Sequence, residues 1–237
     1  ANVSEGLGFL EEYTNTVENP EADLVGVLIR ETLSRGTGAD AERVISGLKP
    51  MKVVREVLAR VDAGAAASAG SDEMVRAELA YEMALQFASR DLSADSRALY
   101  RLALKFNPRH GWSANNLGYD LVESREDMVE GERLLEVAVS ALPEEGSVLD
   151  SLAWLRFHQN RLADYQENGE ARQGAVTLIG KAIAEGQDPS AEVLDHAGDI
   201  YWASGDRVKP LDLWRKAASV ATFEAGALRQ RNLAPGV

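Results

Sequence analysis

Apolar residues recur at steps of three and four along much of the chain, which is the spacing of one face of an α-helix. Three such stretches lie near the N-terminus, at 22–34, 40–48 and 51–61. In the last of them one apolar stripe is formed by Val53, Val54, Val57, Leu58 and Val61. The pattern predicts a mostly helical protein whose helices each bury one face.

The first part of the chain, 1–72, is expected to form a helical region of its own. A run of small residues at 63–70 is typical of a flexible linker, and Asp72 is expected to cap the helix that follows it. Two interpretations of the region stay open, a small helical cap or degenerate repeats of the kind described next. The first twenty residues fit either the tail of an upstream domain or a degenerate helix.

Two features repeat along the rest of the chain. The first is a pair of a large and a small residue, found at Met83-Ala84, Leu117-Gly118, Leu152-Ala153 and Ala197-Gly198. The second is a residue followed four positions later by a bulky residue and seven positions later by alanine, and it begins at Ser96, Gly131, Ala175 and Pro210. A small residue where two helices cross, with a large residue one turn away, is what stacked helical pairs require.

These residues resemble the tetratricopeptide repeat (TPR), a helical pair with a period of about 34 residues. Three strings are similar to the NxLGY, DSLGW and HLGDxYW signatures of a bacterial subfamily, and they span 115–119, 150–154 and 195–202. Ala153 and Ala197 depart from these signatures, because they stand where glycine and leucine are usual. A close helix crossing tolerates both changes.

The resemblance implies an all-α fold, an α-α superhelix (TPR solenoid) over 73–237 that follows the N-terminal cap or degenerate repeats. Four helical pairs and a short C-terminal tail are expected, with the pairs at 77–110, 111–145, 146–190 and 191–224. An insertion at 161–173 lengthens the third pair and is expected to be a protruding loop or an extension of a flanking helix.

Composition narrows the class of partner. The chain has 237 residues, with 38 acidic against 25 basic side chains, and its formal net charge is −13. No cluster of Lys and Arg is present that would neutralise a row of phosphates, so neither nucleic acid nor an anionic membrane is expected as a partner. The absence of cysteine excludes disulfides and thiolate metal sites, and leaves the redox compartment open.

Candidate chemistry is sparse. The chain has only three histidines, His110, His158 and His196, and it contains neither an HExxH string nor a phosphate loop. A metal-dependent hydrolase would have to use Asp150, His158, Asp195, His196 and Asp199, but these aspartates coincide with the repeat signatures. We therefore expect no catalytic residues, no cofactor and no metal.

In a TPR stack the first helix of each pair lines the concave face, which is the usual contact surface. The expected partner-binding residues are Tyr81, Asn115, Asn116, Tyr119, Asp150, Trp154, Phe157, Asp195, His196, Asp199 and Trp202. For Trp154, Phe157 and Trp202 the alternative is a place in the core between helical pairs. A clamp for a peptide C-terminal carboxylate is not expected, because its positions carry Asp150, Asp195 and Asp199 instead of basic residues.

We expect a non-enzymatic scaffold or adaptor that holds a peptide or protein segment in the concave groove. The segment is expected to be neutral to basic, with an apolar anchor. The alternative is a regulatory or substrate-recruiting region of a larger enzyme or envelope protease complex, and a chain that opens at Ala1 is compatible with a longer upstream region. The resemblance implies a bacterial envelope or periplasmic location, with the cytoplasm left open, and no oligomeric state is indicated.

Overall fold

The computed structural model describes residues 3–17, 22–49, 51–61, 70–185 and 188–233, and this part of the chain is almost wholly helical. The prediction of an all-α fold is confirmed. The described residues form twelve helices: α1 Val3–Thr16, α2 Ala22–Arg35, α3 Gly38–Gly47, α4 Met51–Val61, α5 Asp72–Ala88, α6 Ser93–Phe106, α7 Gly111–Ser124, α8 Met128–Ala141, α9 Gly146–His158, α10 Ala175–Glu185, α11 Ala191–Ala203 and α12 Lys209–Leu233.

Local sequence signals explain several helix starts. Thr37 begins α3 with a capping box, in which its hydroxyl accepts from the Asp40 amide while the Asp40 carboxylate accepts from the Thr37 amide. The N-cap of α5 is Ser71 instead of the predicted Asp72, and its hydroxyl accepts from the Met74 amide. The predicted linker at 63–70 falls, apart from its last residue, outside the described residues.

The chain divides into two compact units, residues 1–117 and 118–237. In the first unit, α5 packs against α6, and both contact α3. The Arg76 guanidinium on α5 donates to the carbonyls of Ile45 and Leu48, which lie at the C-terminal end of α3 and would otherwise lack partners. The predicted division at residue 72 stays a prediction.

In the second unit, α9 packs against α8, α10 and α11, and α11 packs against α12. The core between these helices is built mainly from aliphatic side chains that are fully or almost fully buried, among them Leu135, Leu152, Leu155, Leu178, Ile179 and Ile200. These are the periodic apolar positions of the helices, so burial follows the pattern read from the sequence.

Glycines lie at the helix crossings of this unit. A Cβ atom on Gly118 of α7 would lie 2.9 Å from Cγ of Leu135 on α8 and 3.2 Å from the carbonyl oxygen of Gly131. The two backbones therefore approach more closely than any larger residue permits. The predicted role of Gly118, Gly131 and Leu135 at a helix crossing is confirmed.

The insertion at 161–173 is a β-hairpin, so the expectation of a loop or a helix extension was wrong. Strands β1 (Tyr165–Glu167) and β2 (Glu170–Arg172) pair in antiparallel fashion. The turn is made by Asn168 and Gly169 with φ values of 52° and 82°, which is the backbone that a tight two-residue hairpin turn demands.

Charged side chains anchor this hairpin to the helices beside it. Arg156 of α9 is 2% exposed and pairs with Glu132 and Glu136 of α8. Arg161 then bridges Glu132 to Glu167 of β1, at 3.3 and 3.0 Å. This network holds the hairpin against α8, a placement that sequence periodicity does not encode.

No helix in the described ranges combines the length and the apolar character that crossing a bilayer requires.

Candidate functional site

The predicted partner-binding residues fall in both units. Tyr81, Asn115 and Asn116 belong to the first unit, and the other eight belong to the second. In the second unit they lie on α7, α9 and α11, the first helices of successive pairs.

An aromatic stack occupies the face formed by α9 and α11. The imidazole of His196 lies flat on the Trp154 indole, with ring centroids 3.9 Å apart and an interplanar angle of 12°. Phe157 stacks on the same indole at 5.0 Å, and the ring of His158 meets its edge at 4.7 Å. Trp154 and Phe157 are half-buried. Both predicted aromatics of α9 thus combine packing with a surface that remains accessible.

Asp150 holds His196 in this position. The carboxylate lies 3.0 and 3.1 Å from Nδ1 of the imidazole, and the two residues are 4% and 7% exposed. The sequence placed both on an open surface, but they form a buried pair, and the imidazole of this pair is itself part of the stack. Asp195, one residue before His196, is exposed, because consecutive residues of a helix point about 100° apart.

The surroundings shift the pKa values of the two imidazoles beside Trp154 in opposite directions. Burial lowers the pKa of His196, but the hydrogen bond and charge of Asp150 outweigh it, and the pKa is raised overall. Burial and the nearby charge of Arg125 lower the pKa of His158. Burial raises the pKa of Asp150 despite its hydrogen bond with His196.

Carboxylates accept hydrogen bonds from the polar groups of two neighbouring aromatic side chains. The Tyr119 hydroxyl donates to Glu192 at 2.6 Å, and the Trp154 indole N–H donates to Glu123. Burial and the contact with Glu192 raise the pKa of Tyr119, which keeps its hydroxyl protonated as a donor. These bonds fix the orientation of the aromatic rings.

An open cleft of about 530 Å³ lies beside this stack, between α7, α11 and α12. It is lined by Tyr119, Glu123, Ala191, Glu192, Asp195, His196, Trp214, Ala217, Ala218 and Ala221. Three carboxylates border it, and its lining contains no lysine or arginine. Sequence analysis did not predict Glu123, Glu192 and Trp214 as site residues. Glu123 and Glu192 lie outside the positions of α7 and α11 that were assigned to the groove, and Trp214 lies on α12, a helix to which no groove position was assigned.

Asp199 and Trp202 lie further along α11. Asp199 is half-buried, and its pKa is raised by burial and by the charge of Asp195. Trp202 is 44% exposed, and its ring centroid lies 5.8 Å from that of Trp214. The Cζ atom of the Arg207 guanidinium lies 4.1 Å from the centroid of the Trp202 ring. The exposed tryptophan therefore lies in the last turn of α11, next to the connection to α12.

The three predicted residues of the first unit join a separate polar and aromatic group. Tyr81 lies 5.1 Å from the ring of His110, and burial together with nearby Tyr100 raises its pKa to about 12. Asn116 donates to the Tyr100 hydroxyl at 3.3 Å, and Asn115, which is 7% exposed, donates to Asn116. Asn115 is a buried support for Asn116.

The residues weighed for metal-dependent hydrolysis do not converge. Asp150 and His196 bind each other, Asp195 is exposed, and Asp199 is half-buried. Within the described ranges, no group of three or more His, Asp or Glu side chains is arranged to hold a metal ion.

The sequence matches no family model and no curated protein. Solved structures do resemble it. MamA of Desulfovibrio magneticus RS-1 is 15% identical over 87% of this chain and 98% of its own, with a TM-score of 0.53. BtubC (BKLC) from P. vanneervenii is 15% identical over 94% of this chain and 91% of its own, with a TM-score of 0.51. YrrB is described as a TPR protein with an unusual peptide-binding site. It is 15% identical over 97% of this chain and 100% of its own, with a TM-score of 0.50.

The fold is of the tetratricopeptide-repeat type.

In a TPR fold the small residues of the repeat hold the paired helices close together, and Gly118 and Gly198 have this role here. The subfamily signatures contribute to the site unevenly. Trp154 presents an accessible ring, whereas Asp150 and His196 are buried. Membership of the subfamily that these signatures resemble stays a prediction.

Proposed function

We propose that this protein is a non-enzymatic scaffold, which binds a segment of a partner protein along the cleft and aromatic stack of its second unit. The observation that carries the proposal is the row of Phe157, Trp154 and His196 stacked beside an open cleft. YrrB, a neighbour in fold, is described as having a peptide-binding site. That description supports the proposal by analogy.

The stack is suited to an apolar anchor on the partner. Aromatic rings offer a large contact area with few torsions to immobilise, and such residues are frequent at the centres of interfaces. Trp154 cannot reorient freely, because Glu123 holds its indole N–H and His196 covers one face. A surface that is rigid before binding loses little entropy when a partner arrives.

The cleft is suited to a neutral or basic segment. Glu123, Glu192 and Asp195 give its lining three carboxylates, in a protein with a formal net charge of −13. An acidic segment would meet like charge along this border, whereas a basic one would be drawn to it. Asp150 contributes indirectly, by holding His196 against Trp154.

A site-specific crosslinking experiment tests the proposal. The photoreactive residue p-benzoylphenylalanine is placed at Asp195, which borders the cleft, or at Val129, which is 81% exposed on α8. Both proteins are irradiated in extracts of the cells that produce the chain, and the adducts are identified by mass spectrometry. We expect the protein with the photoreactive residue at position 195 to form a reproducible adduct with one partner protein. The protein with that residue at position 129 should not form this adduct.

Two variants sharpen the result. Trp154→Ala removes the centre of the stack and should abolish the adduct, whereas Phe9→Ala removes an aromatic ring that is 74% exposed in the first unit and should leave it unchanged. Equal crosslinking from both positions, or an adduct indifferent to Trp154, would contradict binding at this surface. Circular dichroism of each variant separates lost binding from lost structure.

A further inference from the structure

We infer that this chain associates with copies of itself head to tail, through two exposed apolar patches of opposite charge. The N-terminal patch lies on the outer face of α1 and consists of Glu5, Phe9, Glu12 and Tyr13. The C-terminal patch lies where α11 leads into α12 and consists of Trp202, Arg207, Val208, Lys209 and Leu211. Neither patch belongs to the cleft lining or the aromatic stack, so the inference goes beyond the proposed function.

The N-terminal patch is an apolar surface with acidic neighbours. Helix α1 packs on α2 and α3 and buries Leu7, whereas Phe9 and Tyr13 are 74% and 50% exposed. Steps of four and seven residues return to the same side of a helix, so Glu5 and Glu12 share the face of the two rings. An open hollow of about 480 Å³ lies along these rings. Neighbouring apolar side chains that stay exposed within a polar rim are typical of an interaction surface.

The C-terminal patch is the second exposed apolar surface. Val208 is 74% exposed, and Trp202 and Leu211 are 44% and 46% exposed. All three lie within ten consecutive residues, at the end of α11 and the start of α12. This patch therefore offers aliphatic and aromatic groups together, as the centre of an interface does.

The charge that this patch presents is positive. Asp206 accepts hydrogen bonds from two backbone amides at the start of α12, so it acts as a helix cap, and Asp212 pairs with Arg215 at 3.0 Å. Arg207 and Lys209 are exposed, and the Arg207 guanidinium is held over the neighbouring indole by a bond to the Trp202 carbonyl. Such a basic surface stands out in a protein with a formal net charge of −13.

Each patch matches the other in chemistry. Phe9 and Tyr13 are four positions apart on one face, and Val208 and Leu211 are three positions apart, so both patches present neighbouring apolar groups. Carboxylates flank the first pair and cations flank the second. Opposite charges attract, whereas two N-terminal patches or two C-terminal patches would repel each other. The occupant that fits each patch is therefore the other patch on a second copy of the chain.

A contact between two different patches repeats from one copy to the next. It is a heterologous contact, which produces a closed ring or an open filament instead of a symmetric dimer. Association should therefore continue past two copies as the protein concentration rises.

Sedimentation equilibrium of the full chain tests the inference, at concentrations from about 1 μM to 1 mM. The buffer contains about 0.15 M salt, where a Debye length of about 8 Å screens the general repulsion between acidic molecules. We expect the average mass to rise above that of the monomer with concentration. Phe9→Ala and Leu211→Ala, which each shorten an exposed apolar side chain, should each weaken this association.

Two charge-reversed chains identify the surfaces. The first carries Glu5→Lys with Glu12→Lys, and the second carries Arg207→Glu with Lys209→Glu. Each has two patches of the same sign, so each alone should associate at least about tenfold more weakly than the unmodified chain. An equimolar mixture should associate again, because the reversed patch of one chain is complementary to the reversed patch of the other. Circular dichroism checks that both chains are folded.

Glu144→Lys with Glu145→Lys is the matched control. It makes the same change in net charge as the first reversal, at exposed positions outside both patches. A less acidic protein repels itself less, so the control should associate at least as strongly as the unmodified chain. The first reversal should associate less, although its net charge is the same.

An unmodified chain that stays monomeric over the whole range overturns the inference. It is also overturned if either reversed chain associates as the unmodified chain does, or if the mixture associates no more than each chain alone. An equal effect of the first reversal and its control overturns it as well, because net charge would then be responsible. The scaffold function is decided separately, since Phe9→Ala should weaken self-association and keep the adduct formed from position 195.

Discussion

Replacing Gly198 by alanine should destabilise the second unit, although the same substitution usually stabilises a helix. Gly198 lies within α11, against the indole of Trp214 on α12. An added Cβ would lie 2.5 Å from Cδ1 and 2.7 Å from Cε2 of that ring, which is far inside van der Waals contact. The ring is rigid, so relief requires α11 and α12 to separate or the indole to leave its place.

The net effect follows from two opposed contributions. Overpacking of a well-filled contact costs about 1–3 kcal/mol, and the depth of this overlap favours the upper end. Replacing glycine by alanine in a helix interior stabilises the helix by about 1 kcal/mol. We therefore expect the free energy of unfolding to fall by about 2 kcal/mol.

Gly180→Ala is the matched control. Gly180 lies within α10 of the same unit, and the nearest atom to an added Cβ is the Tyr201 hydroxyl oxygen at 3.4 Å, an ordinary contact. This variant should gain up to about 1 kcal/mol. Urea unfolding of both variants and the parent chain, followed by far-ultraviolet circular dichroism, measures the difference. If Gly198→Ala is as stable as Gly180→Ala, the close approach of Trp214 to α11 is wrong.

Three further experiments test other parts of the structure. Arg156→Ala should lower the free energy of unfolding by about 1–3 kcal/mol, because it removes a buried side chain together with its packing and its two ion pairs. Glu132 and Glu136 are partly exposed, so water can solvate their carboxylates after the substitution, which limits the destabilisation. The exposed ion-pair variant Arg215→Ala should change it by less than about 0.5 kcal/mol in the same urea experiment. In a histidine-resolved NMR titration, His196 should titrate above the ordinary value of 6.5 and His158 below it, and the reverse order would contradict the Asp150 contact. Gly118→Leu should force α7 away from α8 and cost about 2 kcal/mol or more, and an unchanged melting temperature would exclude a crossing there.

Sequence by itself was enough to predict many of the helices and the crossing within one helical pair. Helical periodicity is a local property, so the stretches at 22–34, 40–48 and 51–61 correspond closely to α2, α3 and α4. The crossing of Gly118 with Gly131 and Leu135 was also predictable, because a helical pair brings together residues a fixed distance apart along the chain. The physical reason is the same in both cases: spacing alone determines which residues share a face or meet across a short turn.

Only the tertiary structure decided which of the candidate side chains reach the surface. A helix turns about 100° per residue, so a small rotation exchanges buried and exposed positions, and Asp150 and His196 proved buried while Asp195 is exposed. Their pairing joins residues 46 positions apart, and the bond from Tyr119 to Glu192 joins residues 73 apart. Such contacts depend on how successive helical pairs stack, and no local pattern specifies the rotation and offset of that stacking. The carboxylate-lined cleft is therefore a property of the packed helices, although each of its residues is visible in the sequence.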